Sequence, residues 1–452
     1  MLRELVASYR RFAPAETDPD PGRDALLLRP RLGYPAVVQA GAPFVVEVLE
    51  RGRPAPWRAV LTRPNWSAEQ AARCLQGEAS RDGCHALELL LEAREAIADN
   101  LRRVRLSARP LSLPPPGGYD LYFASGAHPP ERAPHAVWLL AQDPTLPRPL
   151  RVVQLSDIHI GKRHQRRLEQ NLERVLADVN ALRPDVVLIT GDVVDRGGNG
   201  AQLRRAQQML LRIQAPLLVV PGNHDHGFGP KALFGTGSSK GYLTFARGFH
   251  PYPLFTVTLG GWDFIGFDSG PSVPSFRILT RGLLPETLER MRSALDRARQ
   301  KGRRGVVLFS HAPPRAHVLS SGGRTGRGFF GRMRTGAQGF EQLLLDGAAA
   351  GLRVLHLSGH THWADLHEAR PGPRGLRFER WPARDVSPCP REIAGLAALI
   401  TAQAAAHTTF AWRRNGRGHG FVRLELDGER AQVAFPRYGV REPGCSEVLG
   451  AL

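Results

Sequence analysis

Five short motifs in this 452-residue chain combine carboxylates, imidazoles and one amide. They are Asp157-Ile158-His159, Gly191-Asp192-Val193-Val194-Asp195, Gly222-Asn223-His224-Asp225, Ser310-His311 and Gly359-His360-Thr361-His362. These nitrogen and oxygen donors are the ligand set of transition metals such as Mn, Fe, Zn or Co. Because no cysteine accompanies them, a structural zinc site is not expected. A shared carboxylate, for which Asp192 is the candidate, would allow two adjacent ions to hold both the attacking and the leaving oxygen of an in-line displacement.

Each motif stands at the end of a run of apolar residues. The runs occupy residues 152–155, 186–189, 217–220, 306–309 and 354–357, and their length predicts buried strands. Between the first three runs, apolar residues recur with the helical period, so a strand–helix–strand–helix–strand order is expected. Ligands of open α/β sheets bind at the carboxyl ends of the strands. The five motifs are therefore expected to meet in one crevice.

Taken together, the motifs resemble the signature of the calcineurin-like metallophosphoesterase superfamily. The resemblance covers residues 151–438 and implies an α/β fold, a two-sheet metallophosphoesterase sandwich flanked by helices. It further implies a metal-dependent phosphoesterase that hydrolyses a phosphomonoester or phosphodiester by attack of a metal-bridging hydroxide. The implied cofactors are two divalent or mixed-valence transition-metal ions (Mn, Fe, Zn or Co).

The same resemblance implies a role for each residue of the motifs. The ligands implied for the first metal are Asp157, His159, Asp192 and His362. Those implied for the second metal are Asp192, Asn223, His311 and His360. His224 is expected to be catalytic, either stabilising the transition state or protonating the leaving oxygen, with Asp225 holding its other ring nitrogen.

Two more residues are candidates for binding substrate. Arg196 extends the second motif into a string like that of protein serine/threonine phosphatases, in which the arginine binds phosphate. His226 follows Asp225 directly and could contact substrate. By contrast, Asp195 is expected to brace its loop, and His356 lies inside an apolar run and is expected to be a buried structural histidine.

The region before the motifs differs in character. Short apolar runs separated by glycine and proline predict strands at residues 57–62, 101–108, 119–124 and 136–140, and two more within 36–49. Residues 85–100 are compatible with either a helix or a strand and turn. We therefore expect a small β-rich domain, an Ig-like sandwich without catalytic residues, at 1–146, and the phosphoesterase domain at 147–452.

The formal net charge of +19 leaves a second function open. A metal-dependent nuclease of the same superfamily, acting on DNA or RNA, would use such charge to hold a phosphate backbone. The charge is spread along the chain rather than blocked, and an arginine-favouring codon composition explains it equally well. A small phosphoester is therefore the expected partner. A catalytically inactive scaffold would require missing ligands, and the motifs lack none.

Several features bear on the compartment. The sequence contains no run of the roughly 18–20 apolar residues that a membrane-spanning helix requires. The N-terminus lacks the apolar segment of a signal peptide, so a cytoplasmic location is expected, or a periplasmic or secreted one if a leader was removed. Four cysteines are compatible with reduced thiols or with two disulfides, and the spacing of Cys74 and Cys84 permits a short closed loop.

Overall fold

The structure is a computed structural model that describes residues 25–51, 56–64, 66–77, 83–98, 101–126, 130–162, 165–227, 236–270, 282–315, 317–319, 325–327, 332–333, 335–373, 375–382, 386–405, 420–428 and 430–436. Among these residues, no helix has the length and apolar character needed to cross a membrane.

Eight strands before residue 141 form one mostly antiparallel sheet, sheet I. They are β1 (Ala25–Arg29), β2 (Ala36–Gln39), β3 (Phe44–Arg51), β4 (Trp57–Thr62), β5 (Cys84–Ala98), β6 (Leu101–Pro110), β7 (Gly117–Ser125) and β8 (Glu131–Leu140). Their order in the sheet is β1-β3-β6-β5-β4-β7-β8-β2. The β-rich character predicted for this region is confirmed, whereas the Ig-like arrangement and the domain boundary near residue 146 stay predictions.

Residues 84–98, for which a helix remained possible, form the long strand β5. Pairing between β5 and β6 shifts register between Leu91 and Ala93. A bulge of this kind inserts one extra residue and reverses which side chains point inward. The strict alternation of a strand is therefore lost in the sequence, which explains why the segment also resembled a helix face.

A helix that the sequence analysis did not predict, α1 (Ala68–Leu75), packs on sheet I. Ser67 and Gln70 form a capping box at its start, in which each side chain accepts a hydrogen bond from the other residue's backbone. Near its end, Cys74 forms a disulfide with Cys84 of β5. The disulfide therefore ties the helix covalently to the sheet.

The remainder of the chain forms two larger sheets. Sheet II has the order β11-β10-β9-β22-β23-β20, with β9 (Leu150–Leu155), β10 (Val186–Thr190), β11 (Leu217–Val220), β20 (Arg391–Glu392), β22 (Val422–Asp427) and β23 (Arg430–Ala434). Sheet III has the order β12-β13-β14-β17-β21-β18-β19, with β12 (Leu254–Leu259), β13 (Trp262–Phe267), β14 (Gly305–Phe309), β17 (Arg353–Ser358), β18 (Asp365–Gly372), β19 (Gly375–Arg380) and β21 (Ala397–Thr401). A separate pair consists of β15 (His317–Leu319) and β16 (Thr325–Arg327).

Sheets II and III face each other across one apolar core, to which Val152, Leu188, Phe264, Val307 and Leu424 contribute. Helices cover the outer faces: α2 (Gln165–Ala181), α3 (Gly200–Leu210) and α4 (Thr236–Gly248) on sheet II, and α5 (Pro285–Gln300) and α6 (Ala337–Ala349) on sheet III. Each buries an apolar stripe and exposes a polar one. The predicted two-sheet sandwich flanked by helices is confirmed.

The N-terminal region reaches sheet II at its outermost strand. Gly33 forms a parallel bridge with Leu218 of β11, and its carbonyl oxygen accepts a hydrogen bond of 2.9 Å from the Val219 amide. Glu47 of β3 accepts a hydrogen bond from the Tyr252 hydroxyl. Sheet I is therefore joined to the strand that precedes the third motif.

Candidate metal centre

The five motifs lie in loops that follow five strands of sheets II and III. Asp157, Asp192 and Asn223 come after β9, β10 and β11, which run parallel to one another. His311 and His360 come after the parallel strands β14 and β17. Because parallel strands end at one edge of a sheet, all five loops converge on one crevice, as the sequence predicted.

The backbone of these loops is unusual. Seven non-glycine residues of the described chain have positive φ angles, and five of them belong to the motifs: Asp157, His159, Asp192, His360 and His362. Non-glycine residues rarely occupy this region, because the side chain crowds the backbone. Such conformations cluster at functional sites, where the surrounding structure holds them in place.

The first group of potential ligands consists of Asp157, His159 and His362. The Nε2 atom of His362 lies 3.0 Å from Oδ1 of Asp157 and 3.4 Å from Nε2 of His159. Oδ2 of Asp157 accepts hydrogen bonds from the Ser156 hydroxyl (2.6 Å) and the His360 amide (2.9 Å). One oxygen of Asp157 is therefore anchored, and the other faces the two imidazoles.

The second group contains Asp192, Asn223, His311 and His360. The Nε2 atom of His311 lies 3.0 Å from Oδ1 of Asn223 and 3.1 Å from Nδ1 of His360. It also lies 3.3 Å from Oδ2 of Asp192. The donor atoms of all four residues thus converge on the space around one imidazole nitrogen.

Asp192 connects the two groups. Its Oδ2 atom lies 3.3 Å from Nε2 of His311 in the second group and 3.7 Å from Nε2 of His159 in the first. Its Oδ1 atom accepts a hydrogen bond of 2.8 Å from the His224 amide, which fixes the orientation of the carboxylate. A carboxylate in this position would be shared if each group held an ion.

The donor geometry fits metal ions. Ligand atoms bound about 2.1 Å from one ion stand roughly 3.0–3.4 Å apart, which matches the separations in the second group and those of His362 from Asp157 and His159 in the first. Oδ1 of Asp157 is buried and faces Nε2 of His362. The Nδ1 atom of His311 donates to the Thr190 carbonyl oxygen at 2.8 Å, which directs its Nε2 atom toward the other donor atoms of the second group.

Because the residues of the site are almost fully buried, burial and neighbouring charges shift their pKa values. Burial alone would raise the pKa of Asp192, but the imidazoles of His311 and His224 hold it well below the usual carboxylate range. Burial also lowers the pKa of His311, but the Asp192 carboxylate outweighs it and raises that pKa to about 9. For His159, burial dominates and the pKa lies well below that of free imidazole.

His224 lies at the edge of the two groups, and its contacts differ from the prediction. Its Nδ1 atom donates to the carbonyl oxygen of Asp195 at 2.8 Å. Its ring packs edge-on against His159, with the ring centres 4.6 Å apart. The prediction that Asp225 holds the second ring nitrogen of His224 was therefore wrong.

Asp225 instead binds the backbone. Its carboxylate accepts hydrogen bonds from the amides of Val193 (3.2 Å), Val194 (3.0 Å) and Gly222 (2.8 Å). These three hydrogen bonds hold the carboxylate against the backbone of two loops, and Nδ1 of His224 binds the Asp195 carbonyl oxygen instead. Asp225 therefore joins the loop that carries Asp192 to the loop that carries Asn223.

The two residues predicted to bind substrate lie in different environments. His226 is only 2% exposed, pairs through Nε2 with Asp268 at 3.0 Å and stacks on Tyr242. This placement does not fit contact with substrate, because the imidazole is enclosed by protein. The Arg196 side chain is 79% exposed, with its Nε atom 4.0 Å from Oδ2 of Asp195, and it is accessible from solvent at the edge of the site.

Sequence reasoning missed several residues that hold the loops together. Asp268 and Ser269 follow β13: Asp268 binds His226, and the Ser269 hydroxyl accepts a hydrogen bond from the Ala312 amide at 3.0 Å. Gln154 donates to the Thr190 hydroxyl within sheet II. The signal available in the sequence was weak, since each is a polar residue at the end of an apolar strand.

His356 is the buried histidine that the sequence predicted. Its Nε2 atom lies 3.0 Å from the Ser310 hydroxyl, and its ring packs against Phe267 and Phe340. Burial lowers its pKa to about 3, so the ring is neutral. It supports the strand end that precedes His311.

The glycine of the third motif permits a close approach of two loops. A Cβ atom on Gly222 would lie 2.2 Å from Oδ1 of Asp192. Any larger residue at this position would displace the Asp192 carboxylate, which explains why glycine precedes Asn223.

Comparisons with known proteins agree with this geometry. The family model of calcineurin-like phosphoesterases matches residues 150–364. A probable cyclic nucleotide phosphodiesterase of Vesicomyosocius okutanii is 31% identical over 121 residues, which are 26% of this chain and 45% of that protein. A probable glycerophosphodiester phosphodiesterase, GpdQ, of Arcobacter nitrofigilis is 30% identical over 174 residues, which are 36% of this chain and 57% of that protein. The chain thus spans about half the length of these relatives.

Among solved structures, PhoD aligns with a TM-score of 0.50 at 12% identity, covering 90% of this chain and 87% of that chain. At this level of identity the likeness shows the fold alone.

Proposed function

Since residues 150–364 form a calcineurin-like phosphoesterase domain, we propose that this protein is a metal-dependent hydrolase of phosphoric esters. The observation that carries the proposal is the position of Asp192 between two groups of ligands. A carboxylate 3.3 Å from one imidazole and 3.7 Å from another suits two ions that share it. The residues that would hold the first ion are Asp157, His159, Asp192 and His362. The residues that would hold the second are Asp192, Asn223, His311 and His360.

A bound pair of transition-metal ions supplies an activated water and neutralises charge on the phosphate. The protein contributes orientation and proton transfer. The Nδ1–H group of His224 donates to the Asp195 carbonyl oxygen, which fixes the orientation of the ring at the edge of the two ligand groups. An imidazole so placed donates a proton to the leaving oxygen when charged, or a hydrogen bond to the phosphate in the transition state.

For the substrate, we favour a phosphodiester over a phosphomonoester. Two relatives, named as a probable cyclic nucleotide phosphodiesterase and a probable glycerophosphodiester phosphodiesterase, support this choice. A nuclease would rest on the net charge of +19 alone, so we do not propose one.

The test compares bis-p-nitrophenyl phosphate with p-nitrophenyl phosphate. Metal-stripped protein is assayed before and after addition of Mn²⁺, Zn²⁺, Co²⁺ or Fe²⁺. We expect hydrolysis only with added metal, and faster for the diester. Full activity in the stripped protein, or no hydrolysis of either ester with any metal, would rule out the proposal.

The Cys74–Cys84 disulfide supports an oxidising compartment rather than the cytoplasm expected from the N-terminal sequence. Disulfides persist in extracellular or periplasmic surroundings and are rare where thiols are kept reduced. Labelling of free thiols in protein isolated without reductant tests this proposal. Labelled Cys74 or Cys84 would contradict it.

A further inference from the structure

Two cationic residues follow the first two motifs side by side. Ile160 and Val194 form a parallel bridge, and the Asp195 amide donates to the Ile160 carbonyl oxygen at 2.9 Å. Lys162 stands two positions beyond Ile160, and Arg196 two positions beyond Val194. The bridge therefore brings both side chains to the same rim of the metal centre.

The Asp195 carboxylate lies between this rim and the reacting groups. Its Oδ1 atom lies 3.9 Å from Nδ1 of His159 and 3.8 Å from Nδ1 of His224. Its other oxygen, Oδ2, lies 4.0 Å from Nε of Arg196. The Arg196 guanidinium thus approaches Asp195 at Oδ2, whereas the imidazoles of His159 and His224 lie near Oδ1.

Lys162 approaches the same carboxylate from the first loop. Its side chain is half-buried, and its amide donates to the His159 carbonyl oxygen at 3.2 Å in a tight turn. Burial lowers the pKa of its ammonium group, while the carboxylates of Asp195 and Asp192 oppose that effect.

The charges on this rim do not balance. Among the described residues, the Asp195 carboxylate acts on both cations, whereas Asp157 and Asp192 belong to the groups that would hold metal ions. One positive charge is left over, beside His224 and open to solvent through Arg196, whose side chain is 79% exposed. An anionic group placed here would gain charge-assisted hydrogen bonds at little desolvation cost.

We propose that Lys162 and Arg196 bind a second phosphate group of the substrate, separate from the phosphate that is cleaved. The inference rests on the proposed phosphoesterase activity and narrows its substrate class to phosphodiesters that carry an additional phosphate. The cleaved phosphate would contact the metal ions and His224, whereas Lys162 and Arg196 would contact a phosphate several bonds away.

The test uses two diesters with the same scissile bond. One is the p-nitrophenyl ester of thymidine 5′-monophosphate, and the other is the same ester with a 3′-phosphate. Release of p-nitrophenol reports only the bond that both share. We expect kcat/KM to be roughly tenfold higher for the 3′-phosphorylated ester, which corresponds to one charge-assisted contact, and this preference to shrink with added NaCl.

Variants test whether Lys162 and Arg196 cause the preference for the 3′-phosphorylated ester. Lys162→Ala and Arg196→Ala should each reduce the ratio of the two kcat/KM values, and the double variant should bring it near one. Lys162→Arg and Arg196→Lys retain the charge and should retain most of the preference. Arg299→Ala, which removes an exposed arginine on α5, is the matched control and should leave the ratio as in the unchanged protein.

Three outcomes overturn the proposal. In the first, the unchanged protein would not distinguish the two esters. In the second, the alanine variants would keep the preference. In the third, they would lose activity on both esters equally. In the last case the cations act on the cleaved phosphate. Hydrolysis of neither ester in the presence of metal would instead contradict the phosphoesterase function on which the inference rests.

Discussion

Oδ2 of Asp192 lies 3.3 Å from Nε2 of His311, although Asp192 follows a strand of sheet II and His311 follows a strand of sheet III. The contact spans the two halves of the sandwich, so it depends on how the sheets pack. The same oxygen lies 3.7 Å from Nε2 of His159. This carboxylate is therefore where loss of one side chain should affect both ion positions at once.

We expect Asp192→Asn to lower metal-dependent hydrolysis by more than about 100-fold, because an amide cannot neutralise and bridge two cations. Metal content per chain, measured by mass spectrometry, should be lower in the variant than in the unchanged protein. Asp296→Asn, on the exposed face of α5, is the matched control and should change neither quantity. A fully active Asp192→Asn variant would remove the basis for the site.

The ligand positions were predictable because each motif stands directly after a buried strand. Strand ends of a parallel sheet lie together whatever the loops do, so Asp157, Asp192 and His311 converge without any knowledge of side-chain packing. The partner of His224 was not predictable in this way. Nδ1 of His224 binds the backbone carbonyl oxygen of Asp195 rather than the Asp225 carboxylate, and this choice depends on how two loops orient.

Two elements of the N-terminal region, strand β5 and helix α1, were not predicted clearly because their sequence patterns are irregular or short. The bulge between Leu91 and Ala93 breaks the alternation on which strand prediction depends. Helix α1 was missed although its Ser67–Gln70 capping box was visible in the sequence, because its apolar face is short. Regular periodicity predicted the elements of the sandwich well, and local irregularity concealed these two.

The different contacts of Asp225 and His224 predict different defects. Asp225→Asn places an amide against three backbone N–H donors and should disturb the loops that carry Asp192 and Asn223. We expect metal affinity to fall about 10–100-fold, with kcat largely restored at saturating metal. His224→Ala should retain its metal and lose kcat by about 100-fold or more.

Titration with Mn²⁺ in a metal-dependence assay separates the two variants. If Asp225→Asn lost kcat at saturating metal while binding metal normally, Asp225 would be a catalytic residue after all.

Metal binding should release a proton from His311. The Asp192 carboxylate outweighs burial and raises the pKa of this imidazole to about 9, so the metal-free protein holds it protonated at neutral pH. A ligand must be neutral, and metal affinity should therefore rise about tenfold per pH unit until pH approaches 9. Calorimetry at pH 7 in two buffers of different ionisation enthalpy measures the release directly. Absence of proton release would show that His311 is neutral before metal binds.

The Cys74–Cys84 disulfide closes a short loop and should stabilise the N-terminal region. Restricting a loop of this length in the unfolded chain is worth roughly 2–3 kcal/mol. Cys74→Ser with Cys84→Ser should lower the free energy of unfolding by that amount, measured by urea denaturation. Phosphoester hydrolysis should persist at temperatures where the variant remains folded, because neither cysteine touches the metal centre. A loss of activity without a loss of stability would contradict the expectation that the disulfide stabilises the N-terminal region and takes no part in hydrolysis.

His356 should make the fold sensitive to acid. Burial lowers its pKa to about 3 in the folded protein, whereas an unfolded histidine titrates near about 6.5. The folded state therefore excludes a proton that the unfolded state takes up below that pH. The stabilisation is complete above pH ~6.5 and is lost by about 1.4 kcal/mol per pH unit as the pH falls toward 3.

His356→Phe removes the titration and keeps an aromatic ring between Phe267 and Phe340. Metal-stripped protein, unfolded with urea at pH 7 and pH 5, isolates the effect from loss of metal. Between these pH values the original protein should lose about 2 kcal/mol more stability than the variant. The Ser310 hydroxyl keeps the Ala312 carbonyl oxygen as a partner at 3.2 Å, so the variant should fold. Equal losses in the two proteins would mean that His356 takes up its proton in the folded state, and the packed ring would then have to accommodate a charge between two phenylalanines.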